Sequence, residues 1–243
     1  MRVFNSCVDL INETTREVFS RGVIVFDKTV QGKIVGREEY EQKELIGYSY
    51  RLTNFNDKVE MLDWARKTFN KSFLNKEIAE AWFKDFFNTN NPDSWWIQNE
   101  ELKKYWEEFG IEEDGKFSYT YGQRLNDFDQ LNNLIKRLKL NLYSRGSIVY
   151  VGGREDCSMI NRRIPCTIAY QFLVRKDYNK DKVNLIVYQR SCDLVNFFAL
   201  DVYKAIRLLE YISNKLNLEP GFMIHFIGSL HCYKKDVPED RRW

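Results

Sequence analysis

The chain has 243 residues, 44% hydrophobic and 15% aromatic, enough for one sizeable core and far from the composition that stays disordered. Its 37 lysines and arginines against 35 acids leave a net charge of +2, which excludes a bulk electrostatic grip on nucleic acid and requires any anionic ligand to be held locally. No apolar run approaches the ~18 residues of a membrane span, and the charged opening "MRVFNSCVDLINETTREVF" does not read as a signal peptide. The expectation is a cytoplasmic, non-membrane protein folding as one domain over 1–243.

Apolar residues recur at helical spacing from Asn5 to Phe19, and "GVIVFDKT" and "ELIGYSYRL" read as strands. From Lys58 to about Phe109 the chain is rich in Trp, Phe, Lys and Glu and reads as helices, broken by the loop "NTNNPDS". "DQLNNLIKRLKLNL" sets Leu131, Leu134, Ile135 and Leu138 on one helical face, and the basic loop "YSRGS" leads into another strand. "IPCTIAYQFLVR" and "KVNLIVYQRS", joined by "KDYNKD", form a hairpin pattern. Val202, Ile206, Leu209, Ile212 and Leu216 then mark a helix, and "PGFMIHFIGSLHCY" a last strand plus loop. This is an α/β pattern (α+β by segregation), with a mixed sheet and packed helices.

Five cysteines, odd in number, widely spread and without a CxxC pair, favour reduced thiols over a disulfide scaffold or a zinc knuckle. Cys166 follows a proline at the mouth of an apolar strand, where a lone cysteine is ordinarily core filler. Its company differs: Arg162 and Arg163 precede it, and Arg190 and Arg145 lie in flanking segments, cations that favour the thiolate. Gln189, Arg190, Ser191 and Asp193 gather a forked donor, a hydroxyl and a carboxylate at one strand end, a set that suits a phosphate. His231 and Tyr233 alternate, so on extended backbone both point one way and can share a ligand hydroxyl.

Together "IPCTIAYQF", "YQRSCD" and "GSLHCY", preceded in order by "YGQRL", "DQLNNLIKRLK" and "YSRGS", resemble the thymidylate synthase superfamily. The resemblance implies a thymidylate synthase-like fold dimerising through a sheet face, with Cys166 adding to C6 of a pyrimidine nucleotide so that C5 captures a one-carbon unit from 5,10-methylene-tetrahydrofolate. It implies that Arg190, Ser191 and Arg145 hold the 5′-phosphate, Arg145 reaching over from the second subunit of a homodimer. Asp193 joins this substrate-binding set, Lys28 in "DKT" is a further phosphate contact, and His231 and Tyr233 bind the sugar hydroxyl. Tyr121 and Glu60 join the catalytic set, and Trp106 is the candidate wall of the folate site.

Departures from the thymidylate-forming pattern point one way. Thr167 follows the nucleophile where histidine is usual, and Ser229 stands for aspartate. Asp201, eight residues after Asp193, stands where a uracil-reading enzyme carries asparagine. An asparagine amide donates to uracil O4 and accepts from N3–H, whereas a carboxylate only accepts, which matches the amino edge of cytosine. Asp201 also lies where a helix begins, a place where acids commonly cap. The resemblance is therefore to phage-type deoxycytidylate (or cytidylate) 5-hydroxymethylases, with dCMP or CMP as substrate and water completing the product. The alternatives are a thymidylate synthase acting on dUMP and a folate-independent nucleotide-binding relative without catalysis. Gly146 replaces the second arginine of the "SRR" loop, and only "VPEDRRW" follows "HCYKKD", a shortened C-terminus by the family's pattern.

Overall fold

The computed structural model describes residues 1–26, 29–30, 33–36, 38–87, 96–110, 117–158 and 163–239. Strand β1 (Arg2–Phe4) leads into helix α1 (Cys7–Arg21), whose Ser6 N-cap accepts from Asp9 N. Three short strands follow, β2 (Val23–Val25), β3 (Thr29–Val30) and β4 (Lys33–Ile34), before the long β5 (Gln42–Leu52). The Trp- and Phe-rich stretch forms α2 (Lys58–Phe69), α3 (Lys76–Lys84) and α4 (Glu100–Phe109). The loop "NTNNPDS" lies outside the described residues. Helices α5 (Tyr121–Asn126) and α6 (Gln130–Leu140) precede β6 (Ile148–Tyr150), and the hairpin expected from sequence is β7 (Thr167–Asp177) and β8 (Lys180–Asp193). Helix α7 (Ala199–Leu216) and β9 (Glu219–Tyr233) complete the set. The predicted terminal loop is absent from "PGFMIHFIGSLHCY": β9 continues through Tyr233 because it is paired on both sides, to β5 and β8.

Among the described residues the main sheet runs β1-β5-β9-β8-β7-β6, with β2 on β5 beside β1. Pairing is antiparallel for β5·β9, β7·β8 and β6·β7 but parallel for β8·β9 and β1·β5, the mixed order that the sequence pattern anticipates. One face is core: Tyr50, Tyr170, Phe172, Leu185, Val187 and Met223 pack with Leu10, Leu62, Leu209 and Ile212 of the helices. Leu131, Leu134, Ile135 and Leu138 of α6 are buried as their spacing requires. The opposite face exposes Tyr150, Phe226 and the half-buried Tyr188, which stacks on Phe226 at 5.9 Å. They line an apolar concavity of about 530 Å³ that extends to Gln189 and Arg190.

Two irregularities shape the end of the sheet near the cysteine. Thr167 opposes Gln189 but Ala169 opposes Tyr188, so Ile168 is an extra residue that bulges β7 directly after Cys166. In the adjoining strand a side chain at Gly228 would come within 2.7 Å of the Arg190 carbonyl, so the close approach of β9 to β8 needs glycine there.

Leu209 of α7 is fully buried in the core. Leu209→Ala is expected to lower the unfolding free energy by ~2–5 kcal/mol, read as a lower urea midpoint at unchanged m-value.

Candidate active site

Pro165 and Cys166 stand where the chain enters β7, and Arg190 of the neighbouring β8 grips this entry. The Arg190 amide donates to Cys166 O at 2.8 Å, Nε donates to Pro165 O at 3.0 Å, and Nη2 donates to Ile164 O at 2.8 Å. The same Nη2 lies 4.0 Å from Cys166 Sγ. From the other side Tyr121 Oη accepts from the amide of Thr167 at 2.9 Å. The sulfur is thus presented by a backbone bound on both flanks, and its residue remains half-buried. Burial pushes the thiol above its ordinary value and Asp201 adds to the rise, while Arg190, Arg163 and Lys204 pull it back.

Arg163 is held by rings. Its guanidinium lies over Tyr119 at 4.4 Å, Trp106 at 4.9 Å and Phe117 at 5.0 Å, and Nη1 donates to Tyr119 O. Arg162 lies outside the described residues, so Arg163 is the cation of that pair that the structure carries toward the cysteine.

Asp201 sits in the first turn of α7, buried, but it does not cap the helix. Asp193 caps the turn that leads into the helix: its Oδ1 accepts from Val195 N and Asn196 N at 3.1 Å and its Oδ2 accepts from Asn196 Nδ2 at 2.8 Å. The five residues that follow Asp193, Leu194–Phe198, form a π-helical turn, a feature that recurs at functional sites. Asp201 is thereby free to face β8. Its Oδ2 accepts from Gln189 Nε2 at 2.9 Å and lies 3.7 Å from Cys192 Sγ, and its Oδ1 pairs with Lys204 Nζ at 2.9 Å. Gln189 Oε1 bonds His225 Nε2 at 2.7 Å, and His225 Nδ1 bonds Tyr50 Oη at 2.9 Å, closing a buried polar chain from α7 through β8 and β9 to β5.

The side chains of His231 and Tyr233 share one side of β9 as their alternation predicts, with ring centroids 5.3 Å apart. Burial lowers the His231 pKa, which Asp193 opposes and Arg190 reinforces; across the β8–β9 pairing His231 stands opposite Asp193. Tyr233 packs against Tyr40. Ser191 is half-buried on β8, opposite Ser229.

Four assigned residues are placed differently from the sequence reading, and one is out of view. Asp193 is turned inward as a cap, with both carboxylate oxygens engaged by the turn that follows it. Glu60 is exposed on α2, and its field acts on Cys7, whose thiol it helps push up. Trp106 is only 4% exposed, packed among Tyr105, Phe117 and Phe197 under Arg163, and so offers no open wall to a folate. Arg145 is exposed, and its carbonyl accepts from Gln171 Nε2 at 2.8 Å. That anchor lies five residues along β7 from Cys166, roughly 17 Å on strand geometry, so the chain does not deliver Arg145 to its own Cys166. Lys28 lies outside the described residues. In the place of a second loop arginine, Gly146 has its carbonyl bound by Arg137 of α6.

The sequence reading missed Lys204 and Trp82. Lys204 is fully buried, with Nζ 3.6 Å from the ring centre of Trp82 and 4.6 Å from that of Tyr121. The signal was its position three residues after Asp201, inside the apolar face of α7.

Three comparisons bear on this arrangement. The family model described as Thymidylate synthase matches residues 20–241. A putative thymidylate synthase from Methanococcoides burtonii is 30% identical over 172 residues, covering 68% of this chain and 75% of the relative. A second, from Methanosarcina mazei, is 32% identical over 124 residues, and that match spans only 55% of its length. A thymidylate synthase from Fusobacterium nucleatum is 26% identical over 239 residues, covering 96% of this chain and 79% of the relative. The solved thermostable thymidylate synthase A from Bacillus subtilis superposes with a TM-score of 0.63 at 19% identity, covering 94% of this chain and 80% of that one, a likeness of fold.

Because burial raises the Cys166 thiol while Arg190 lowers it, alkylation of Cys166 by iodoacetamide is expected to be slow at pH 7 and to accelerate as pH rises past the ordinary thiol range. Arg190→Gln is expected to move that acceleration to higher pH. Peptide mass spectrometry separates Cys166 from the exposed Cys157, and an unchanged profile in the variant contradicts the assignment.

Proposed function

This chain belongs to the thymidylate synthase family, and on that premise we propose that it hydroxymethylates C5 of dCMP or CMP. One-carbon transfer to a pyrimidine nucleotide is the chemistry of the family; the choice of base is the finer reading. It rests on one observation: a carboxylate, Asp201, stands within the field of the Cys166 thiol, paired with Lys204 and Gln189. A carboxylate offers acceptors to the amino group of cytosine and none of the donors that uracil O4 needs.

In this reading Cys166 adds as thiolate to C6, and the electron pair moves to C5, which becomes the carbon nucleophile. Loss of the C5 proton with departure of the spent carrier would leave an exocyclic methylene with Cys166 still on C6, and addition of water to that methylene as the thiolate leaves C6 would give the hydroxymethyl product. Arg190 serves twice, fixing the backbone of the nucleophile and lowering the thiol pKa. Tyr121 fixes the other flank, His231 and Tyr233 meet the sugar, and Ser191 with Arg190 faces the phosphate. The proposed donor, 5,10-methylene-tetrahydrofolate, supplies a carbon at the oxidation level of formaldehyde. Buried Trp106 does not fit it, and no residue of this chain is assigned to it here.

A homodimer is part of the proposal. The apolar sheet face at Tyr150, Tyr188 and Phe226 leads to Arg190, and a second copy seated there can bring its own Arg145 toward the phosphate by two-fold symmetry. No described helix is long and apolar enough to cross a membrane.

Thymidylate synthesis from dUMP is the second reading, favoured by the names of the relatives above, which are thymidylate synthases. Turnover separates the two. With methylene-tetrahydrofolate, substrate tritiated at C5 is expected to release tritium from dCMP or CMP and not from dUMP or UMP, and Cys166→Ala is expected to release none. Turnover of dUMP with stoichiometric dihydrofolate establishes the second reading instead. Tight binding of nucleotide without exchange at C5 removes catalysis altogether.

A further inference from the structure

Lys204 is an uncommon residue in its place. Lysine is almost never fully buried unless paired, and this one is sealed at 0% exposure beneath Trp82, Phe86 and Tyr121. Of its three N–H groups, Asp201 Oδ1 takes one at 2.9 Å, and the ring faces surround the ammonium. The lysine is thus turned away from solvent and spends its charge on one oxygen of the candidate base reader.

We propose that Lys204 is a positioning residue that sets base selectivity, by holding Asp201 as an acceptor-only carboxylate over the pH range in which the protein works. The inference rests on Asp201 reading the base. Its physical reason is that a buried carboxyl without a cation is more stable as the neutral acid. Such an acid carries an O–H, which donates to the carbonyl O4 of uracil, as an asparagine amide does. The lysine therefore decides which edge Asp201 presents.

The other titratable groups facing Asp201 do not duplicate this charge. On β8, Cys192 is pushed well up by burial; on β9, His225 is pushed down to about 4 and stays neutral. Tyr50 of β5, Tyr121 of α5 and Tyr170 of β7 are all raised by burial and remain phenols. Cys166, raised as well, is a thiol in the free protein. Gln189 donates but carries no charge. Burial pulls the Lys204 ammonium down and Asp201, 2.9 Å away, holds it up.

The test is calorimetric titration of dCMP and dUMP at pH 6, 7 and 8, with no folate, on wild type, Lys204→Met and the double variant Asp201→Asn/Lys204→Met. The 5′-phosphate titrates near pH 6 in both ligands and cancels in the ratio of affinities. Wild type is expected to keep a pH-independent preference for dCMP. In Lys204→Met the ratio is expected to shift toward dUMP by about tenfold or more from pH 8 to pH 6 as Asp201 takes up a proton. In the double variant, which has no acid to titrate, the ratio is expected to be flat and to favour dUMP. A Lys204→Met ratio that follows wild type at every pH overturns the inference. Should that variant not fold, Lys204→Gln, which keeps a donor at Oδ1 without the charge, is read the same way. A wild type that prefers dUMP overturns the base assignment instead, and the pH slope of the variant still decides the role of the lysine.

Discussion

The bonds between Arg190 and the segment Ile164–Cys166 are the constraint on which the site depends. Cys166 lies outside the regular part of β7, in a chain entry that follows a proline and precedes a bulge, and nothing in strand geometry alone fixes its direction. Arg190 fixes it by binding three successive carbonyls, one through its amide and two through its guanidinium. The fork that makes those bonds is planar and always charged, so the group that orients the sulfur also lowers its pKa. A lysine in that place would keep the charge and lose the fork. The close approach of β9 at Gly228, against the Arg190 carbonyl, belongs to the same arrangement.

The second organising element is the polar chain from Lys204 through Asp201, Gln189 and His225 to Tyr50. Burying an ion pair is expensive, and removing one partner of such a pair typically costs ~3–5 kcal/mol because the other charge is left uncompensated. A hydrophobic pair in the same place would stabilise the fold at least as well. In the proposed function the use of the ion pair is recognition: this row of buried polar groups fixes the Asp201 carboxylate near Cys166 to meet one edge of a planar base. The π-helical turn at Leu194–Phe198 makes the row possible, since Asp193 satisfies the free amides there and Asp201 is left to face the sheet.

Elements with strong periodicity were legible in the sequence. Leu131, Leu134, Ile135 and Leu138 define α6 because they repeat at 3.6 residues, and the β7–β8 hairpin is visible in its β-branched runs and polar turn. The strand that follows Cys166 and the shared side of His231 and Tyr233 were also legible, from β-rich runs and local alternation. The exchange of roles between Asp193 and Asp201 was not, because both are acids near a helix start and only the π-turn decides which of them caps. Lys204 was hidden by the rule that lysines lie outside, which an ion pair and three aromatic rings override here. Trp106 and Glu60 were misplaced for a related reason: a helix shows its apolar stripe in sequence, but not which neighbour covers an aromatic ring or whether a charge one residue off the stripe reaches a site.

The central claim is that Cys166 and Asp201 address opposite edges of one pyrimidine ring. A crystal structure of the protein with dCMP bound tests it most directly. The expected result is Cys166 Sγ within ~3.5 Å of C6, with an Asp201 carboxylate oxygen about 2.9 Å from the N4 amino group. A base that stacks elsewhere, or that turns its N4 edge away from Asp201 while C6 meets the sulfur, contradicts it.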